Sequence, residues 1–187
     1  MNPRENVRSN MVDGAVRLLA TEGVEGTSFK EVLAVAAAPR GSVYHHFPGG
    51  KSELLHAALD RASERALGAM EATRGQSAPE VLERFLSLWR TLLDYSRFSA
   101  GCAVVSVTVA GPDADILNHV GIIFRNWTDR LAALFVAGGM SEDTAHRMAT
   151  VTIAATEGAV VLSRAQQSRA PFDDVASTLS DLIGDVT

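Results

Sequence analysis

The chain has 187 residues, 47% hydrophobic and 21% charged, with a formal net charge of −5. Those values fit one or two globular domains with a real core and exclude a disordered chain. No apolar run approaches the roughly 20 residues of a bilayer span, "MNPRENVRSNM" lacks an apolar signal core, and Cys102 as the only cysteine forbids an internal disulfide, so a soluble cytoplasmic protein is expected.

From Val7 to Thr21, apolar side chains at Met11, Val12, Ala15, Val16, Leu18 and Leu19 follow the spacing of a half-buried helix, and Gly23 offers its stop. Ser28 stands three residues before Glu31, a capping-box spacing that opens a second helix near residue 28, with Val32, Leu33 and Ala36 inward. Pro39 fits the first turn of a third helix running to about His45. "FPGG" ends it. A fourth helix opens at Gly50 and Lys51, aligns Leu54, Leu55, Ala58, Leu59 and Ala62, and continues to about Thr73. After the linker "RGQSAP", Pro79 starts an amphipathic fifth helix carrying Val81, Leu82, Phe85, Leu88, Trp89, Leu92 and Leu93. The valines of "GCAVVSVTVAG" favour a strand, but the neighbours are helical and no partner strand is evident, so a short, tightly buried helix is expected. Three more helices follow: one from near Pro112 to Gly138, one capped by Ser141 and running to about Gln167, and one from Pro171 to Ile183. The fold class is all-α, with about nine helices.

Two short helices separated by a tight turn, behind a longer first helix, form a helix-turn-helix arrangement. "GVEGTSFKEVL", "GSVYHHF" and the lysine opening the fourth helix resemble the N-terminal domain of the TetR family of transcriptional repressors. "PRGSVYHHFPGGKSEL", with "GCAVVSV" and "EGAVVLSRAQQ", looks like its LmrA/YxaF-type branch. Two positions depart from the family pattern: Ala37 replaces the usual glycine of the turn, and Pro39 the usual serine at the third helix. The resemblance implies a DNA-binding domain over residues 1–50, a connecting helix over 51–73, and a helical ligand-binding and dimerisation domain over 74–187. It also implies a transcriptional regulator, a repressor, released from a near-palindromic double-stranded operator by a small-molecule effector.

The charge balance allows this. The first 66 residues hold eight Lys/Arg against eight Asp/Glu, and the remaining 121 hold nine against fourteen. A neutral N-terminal part can dock on DNA if its basic groups share a face. Arg40 has the forked donor set that suits guanine, Gly41 lets backbone approach, and Ser42 can reach a base or a phosphate. Tyr44 can rest its ring on the domain and offer its hydroxyl to a phosphate, while Phe47 is expected in the core. The resemblance places Tyr44 and His45 at DNA-contacting positions and Lys51 at a phosphate. Lys51, at a helix N-terminus, also suits an anion on physical grounds, as do Thr27 and Ser28 at the second helix. His45 and His46 point about 100° apart on a helix and do not share a metal. "PGGK" lacks the spacing of a nucleotide-binding loop. No metal and no cofactor are expected.

In the second half, Phe85, Trp89, Leu92, Cys102, Val105, Phe124, Trp127, Met148 and Thr152 are candidates for the wall of an effector pocket, whose aromatic, weakly polar character suits an apolar or aromatic ligand. The small residues of the helix after Ser141 (Ala145, Ala149, Thr152, Ile153, Thr156, Ala159, Val160, Ser163), with Val175, Leu179, Leu182 and Ile183 of the last helix, are expected to form a homodimer interface. Two rivals are a small all-α enzyme, with Cys102 as nucleophile beside His119 or His146, and a helical regulator without DNA binding. Cys102 sits in an apolar run, where a thiol is usually inert packing.

Overall fold

The computed structural model describes residues 3–39 and 41–184. Its described secondary structure is entirely helical: α1 (Pro3–Gly26), α2 (Phe29–Ala36), α3 (Ser42–His46), α4 (Gly50–Glu71), α5 (Ala78–Ser96), α6 (Ala103–Val109), α7 (Ala114–Ala137), α8 (Glu142–Gln166) and α9 (Ala170–Gly184). Packing divides the chain into two units, Met1–Glu64 with Cys102–Ile123, and Arg65–Gly101 with Phe124–Thr187. The first unit takes α6 and the start of α7, because α6 packs against α1.

In the first unit, α1 breaks at Gly23, whose φ of 72° carries the chain out of the helix where the sequence placed its stop. Ser28 caps α2 by accepting from the Glu31 amide at 3.3 Å. Met11, Leu19, Val32, Phe47, Leu54 and Leu59 are sealed in the core. α4 is pinned to its neighbours: Arg61 donates to Asp13 Oδ1 at 2.5 Å, and His56 Nε2 lies 3.0 Å from Asp115 Oδ2 on α7. His119 of α7 reaches back to Asp60 at 2.9 Å, close but poorly aligned for a hydrogen bond. α6 is a helix despite its valines, since Val104 and Val107 meet the core at helical spacing. It is not tightly buried, however: Val109 is exposed.

In the second unit α8 packs against α9 and α5. α5 opens with a capping box, Glu80 Oε2 accepting from the Ser77 amide at 2.8 Å and from its hydroxyl at 2.7 Å. The end of α7 meets that start: the Ala78 amide donates to Gly138 O, and a Cβ on Gly138 would stand 2.4 Å from Ala78 N. Only glycine allows this approach. The face of α8 expected at a dimer interface is corrected here. Ala145, Ala149, Thr152, Ile153, Thr156, Ala159, Val160 and Ser163 are all buried within the chain itself. Leu179 and Ile183 are likewise buried, whereas Leu182 is exposed. The outward face of α8 instead shows Val151, Ala154, Gly158 and Leu162.

Candidate nucleic-acid interface

The turn between α2 and α3 is closed by Ala37 in the left-handed region (φ 49°, ψ 39°), with the Ala38 amide donating to Leu33 O at 3.0 Å. Arg40, expected to read bases, lies outside the described residues. Pro39 stands before the third helix rather than in its first turn. Its carbonyl accepts from the Ser42 amide at 3.0 Å and the Ser42 hydroxyl at 2.6 Å, so the helix begins at Ser42. Ser42 therefore spends its hydroxyl proton on the turn and offers a ligand only lone pairs. Gly41 is exposed, and a Cβ there would meet nothing in the chain, so internal packing does not require this glycine.

Val43 and Phe47 anchor α3 in the core, and the Arg8 guanidinium lies 5.0 Å over the Phe47 ring. Tyr44 turns the other way. It is 75% exposed, with a ring edge against Phe29 at 6.2 Å, so it is a surface residue rather than a partly buried one. His45 is exposed beside half-buried His46, their rings 5.2 Å apart. Among the described residues no group of three or more His, Cys, Asp or Glu is arranged to hold a metal ion.

The two helix N-termini come out differently from expectation. Thr27 is fully buried and donates its hydroxyl to Gly23 O at 2.7 Å, which removes it from any surface contact. Ser28 remains half-exposed at the head of α2. Exposed Lys51 is tied through Nζ to Val24 O at 2.9 Å, joining the start of α4 to the end of α1. An ammonium has three N–H groups, so two remain for an anion. Lys30, missed in the sequence, is exposed in the first turn of α2 beside Ser28. With Phe29, Leu33, Ala34, Ala38, Val43 and Tyr44 it lines a groove of about 650 Å³ between α2 and α3. Its signal was its place two residues after the capping serine.

The nine candidate effector residues do not all fall in one unit. Cys102 and Val105 lie at α6 in the first, the other seven in the second. Phe85, Trp127 and Thr152 are buried, whereas Trp89, Leu92, Phe124 and Met148 are half-buried. Phe124 and Trp127 meet edge to face at 5.5 Å. No described helix is long and apolar enough to cross a membrane.

The chain is similar to known proteins along most of its length. Residues 11–58 match the family model of bacterial regulatory proteins of the tetR family. Residues 78–178 match that of the transcriptional regulator LmrA/YxaF-like C-terminal domain. An uncharacterised helix-turn-helix transcriptional regulator of Mycobacterium tuberculosis is 33% identical over 183 residues, covering 94% of this chain and 93% of its own. The regulator LmrA of Bacillus subtilis is 24% identical, with 94% and 96% covered. Among solved structures, a TetR regulatory protein from Rhodobacter sphaeroides superposes with a TM-score of 0.81 at 20% identity, covering 92% of this chain and 96% of that one.

Proposed function

Because this chain belongs to the TetR family of bacterial transcriptional regulators, with an LmrA/YxaF-like C-terminal domain, we propose that it is a repressor holding a near-palindromic operator as a homodimer. It is a DNA-binding regulator, not an enzyme. The interface we propose runs from the head of α2 to the head of α4: Ser28, Lys30, Gly41, Ser42, Tyr44, His45 and Lys51, together with Arg40. Thr27 is left out because its hydroxyl is spent on Gly23. Phosphate contacts at the helix N-termini set register, and α3 reads the major groove.

The observation that carries this reading is Tyr44. A tyrosine exposed to three-quarters of its surface, beside the buried Val43 and Phe47 that fix α3, has no role in the core. We further propose that the effector is a small apolar or aromatic molecule held in the second unit near Phe85, Trp89, Leu92, Phe124, Trp127, Met148 and Thr152. Its binding weakens DNA binding through differential affinity for two states.

Fluorescence anisotropy with the DNA upstream of the chain's own gene tests the DNA site. Wild type should bind a palindromic segment at least a hundredfold more tightly than scrambled DNA. Tyr44→Ala should lose about tenfold with its melting temperature unchanged, and Lys30→Met should flatten the salt dependence by about one phosphate. Equal binding of specific and scrambled DNA by the wild type would sink the proposal.

A further inference from the structure

The half-buried arginines among the described residues follow a pattern with one exception. Arg61 meets Asp13, Arg90 meets Glu83 and Arg130 meets Glu71. Each thereby offsets the cost of taking a guanidinium partly out of water. Arg164, in the last turn of α8, is half-buried as well, yet among the described residues it has no carboxylate within ion-pair reach. Among the described residues its side chain donates from Nη2 to Ser99 O at 3.0 Å. It is not consumed in capping its own helix either. The carbonyls of Ser163 and Arg164 are taken by the amides of Ser168 and Gln167, and the Gln167 side chain also donates to Arg164 O.

The surroundings make room for this charge. The guanidinium lies against Gly101, where a Cβ would stand 2.8 Å from Nη1. Gly101 and Arg164 belong to the two stretches "GCAVVSV" and "EGAVVLSRAQQ", and this contact joins them. Around the guanidinium is a shallow cleft of about 420 Å³ lined by Phe98, Ser99, Val161, Ala165 and Gln167. A planar donor fork beside the aromatic wall of Phe98 is the arrangement that recognises a carboxylate attached to an apolar body.

We infer that this cleft is a carboxylate-binding site in which Arg164 holds the anion and Phe98 and Val161 hold the carbon body. The site lies wholly within the second unit and does not depend on the DNA contacts proposed above. The carboxylate has two sources, a small organic acid or an Asp or Glu side chain of a second copy of the chain. Both use the same fork.

The full-length protein is titrated with benzoate and with its neutral isostere benzamide, by calorimetry at constant chloride. Sedimentation is run in parallel. If the source is a small acid, benzoate binds at least tenfold more tightly than benzamide. That preference disappears in Arg164→Met, which keeps the packed stem and removes the charge, and survives in part in Arg164→Lys. Gly101→Ala, which pushes the guanidinium aside without removing it, weakens benzoate severalfold and leaves benzamide alone. If the source is a second copy, benzoate fails to bind wild type, while Arg164→Met dissociates the dimer at concentrations where wild type and Arg164→Lys stay paired. If benzoate and benzamide are indistinguishable in wild type and Arg164→Met leaves assembly unchanged, the inference is overturned. Should Arg164→Met fail to fold, an unaltered benzoate preference in Gly101→Ala overturns the small-acid arm, and its unaltered assembly the other.

Discussion

Ala37 takes φ 49° and ψ 39° at the end of α2, a conformation in which its Cβ crowds the following carbonyl. The turn needs that geometry, because the Ala37 and Ala38 amides close back on Ala34 O and Leu33 O. Ala37→Gly should therefore stabilise the chain by about 1 kcal/mol, the relief of left-handed strain less the extra freedom of glycine in the unfolded chain. Urea denaturation at constant m-value measures it, and a lower midpoint would show that the turn is not strained. The unusual residue was visible in the sequence, but the direction of its neighbours was not. Thr27 and Lys51 have types and positions that suit phosphate, yet Thr27 turns inward to Gly23 O and Lys51 reaches Val24 O. Both acceptors are carbonyls at the end of α1, beside its break at Gly23, and Val24 O also takes the Thr27 amide. The glycine was legible. Which side chains would reach the carbonyls beside it depends on how α1 meets α2 and α4, which no local pattern encodes.

At the scale of the element, the start of α2 was legible from the capping-box spacing of Ser28 and Glu31, whereas α5 was read from Pro79 and its own box, Ser77 with Glu80, was passed over. Ser28 with Glu31 and Ser77 with Glu80 both form caps. The second has a pH signature. The Ser77 hydroxyl, and then its amide, hold the Glu80 carboxylate below its ordinary value of 4.5. A lowered folded value means stabilisation that is complete above 4.5 and is lost as the pH falls through the folded value. Wild type should thus exceed Glu80→Gln in stability at neutral pH by a constant margin, and the two should converge in acid below 4.5. Melting temperatures across that range read it directly; curves that stay parallel would mean the cap does not depend on charge. Faces were less legible than starts. The small residues from Ala145 to Ser163 do allow close packing, but α5 and α9 of the same chain take that packing. Periodicity finds a stripe on α8 without saying whether the chain or a second copy covers it. The valines of α6 misled in a smaller way: their helical spacing held, while Val109 at its end faces solvent.

For the whole molecule, the inward commitment of that stripe moves the expected dimer contact to the opposite side of α8. There Val151 and Leu162 are 46% and 50% exposed, with Ala154 and Gly158 between them, and Leu182 of α9 is exposed too. Positions 151, 154, 158 and 162 follow the three- and four-residue steps of one helix face, and the small residues in the middle let a second helix approach closely. A stable pair needs about 800 Å² from each partner, more than one such helix supplies, so we propose that α9 takes part in a four-helix interface. A single recognition unit holds one half-site, and a linked pair gains from the effective concentration of its second half. Val151→Glu with Leu162→Glu should give a monomer by sedimentation at micromolar concentration, with helix content and melting of the chain preserved, since neither side chain is buried. Operator affinity should fall at least a hundredfold, while binding to an isolated half-site stays as weak as it was. A control on the inward face, Ala149→Glu, should unfold the second unit instead of separating the copies, because that side chain is sealed within the chain. A double variant that remained dimeric and kept its operator would place the two-fold axis away from α8, and the half-site spacing expected of the operator would have to be derived from a different face.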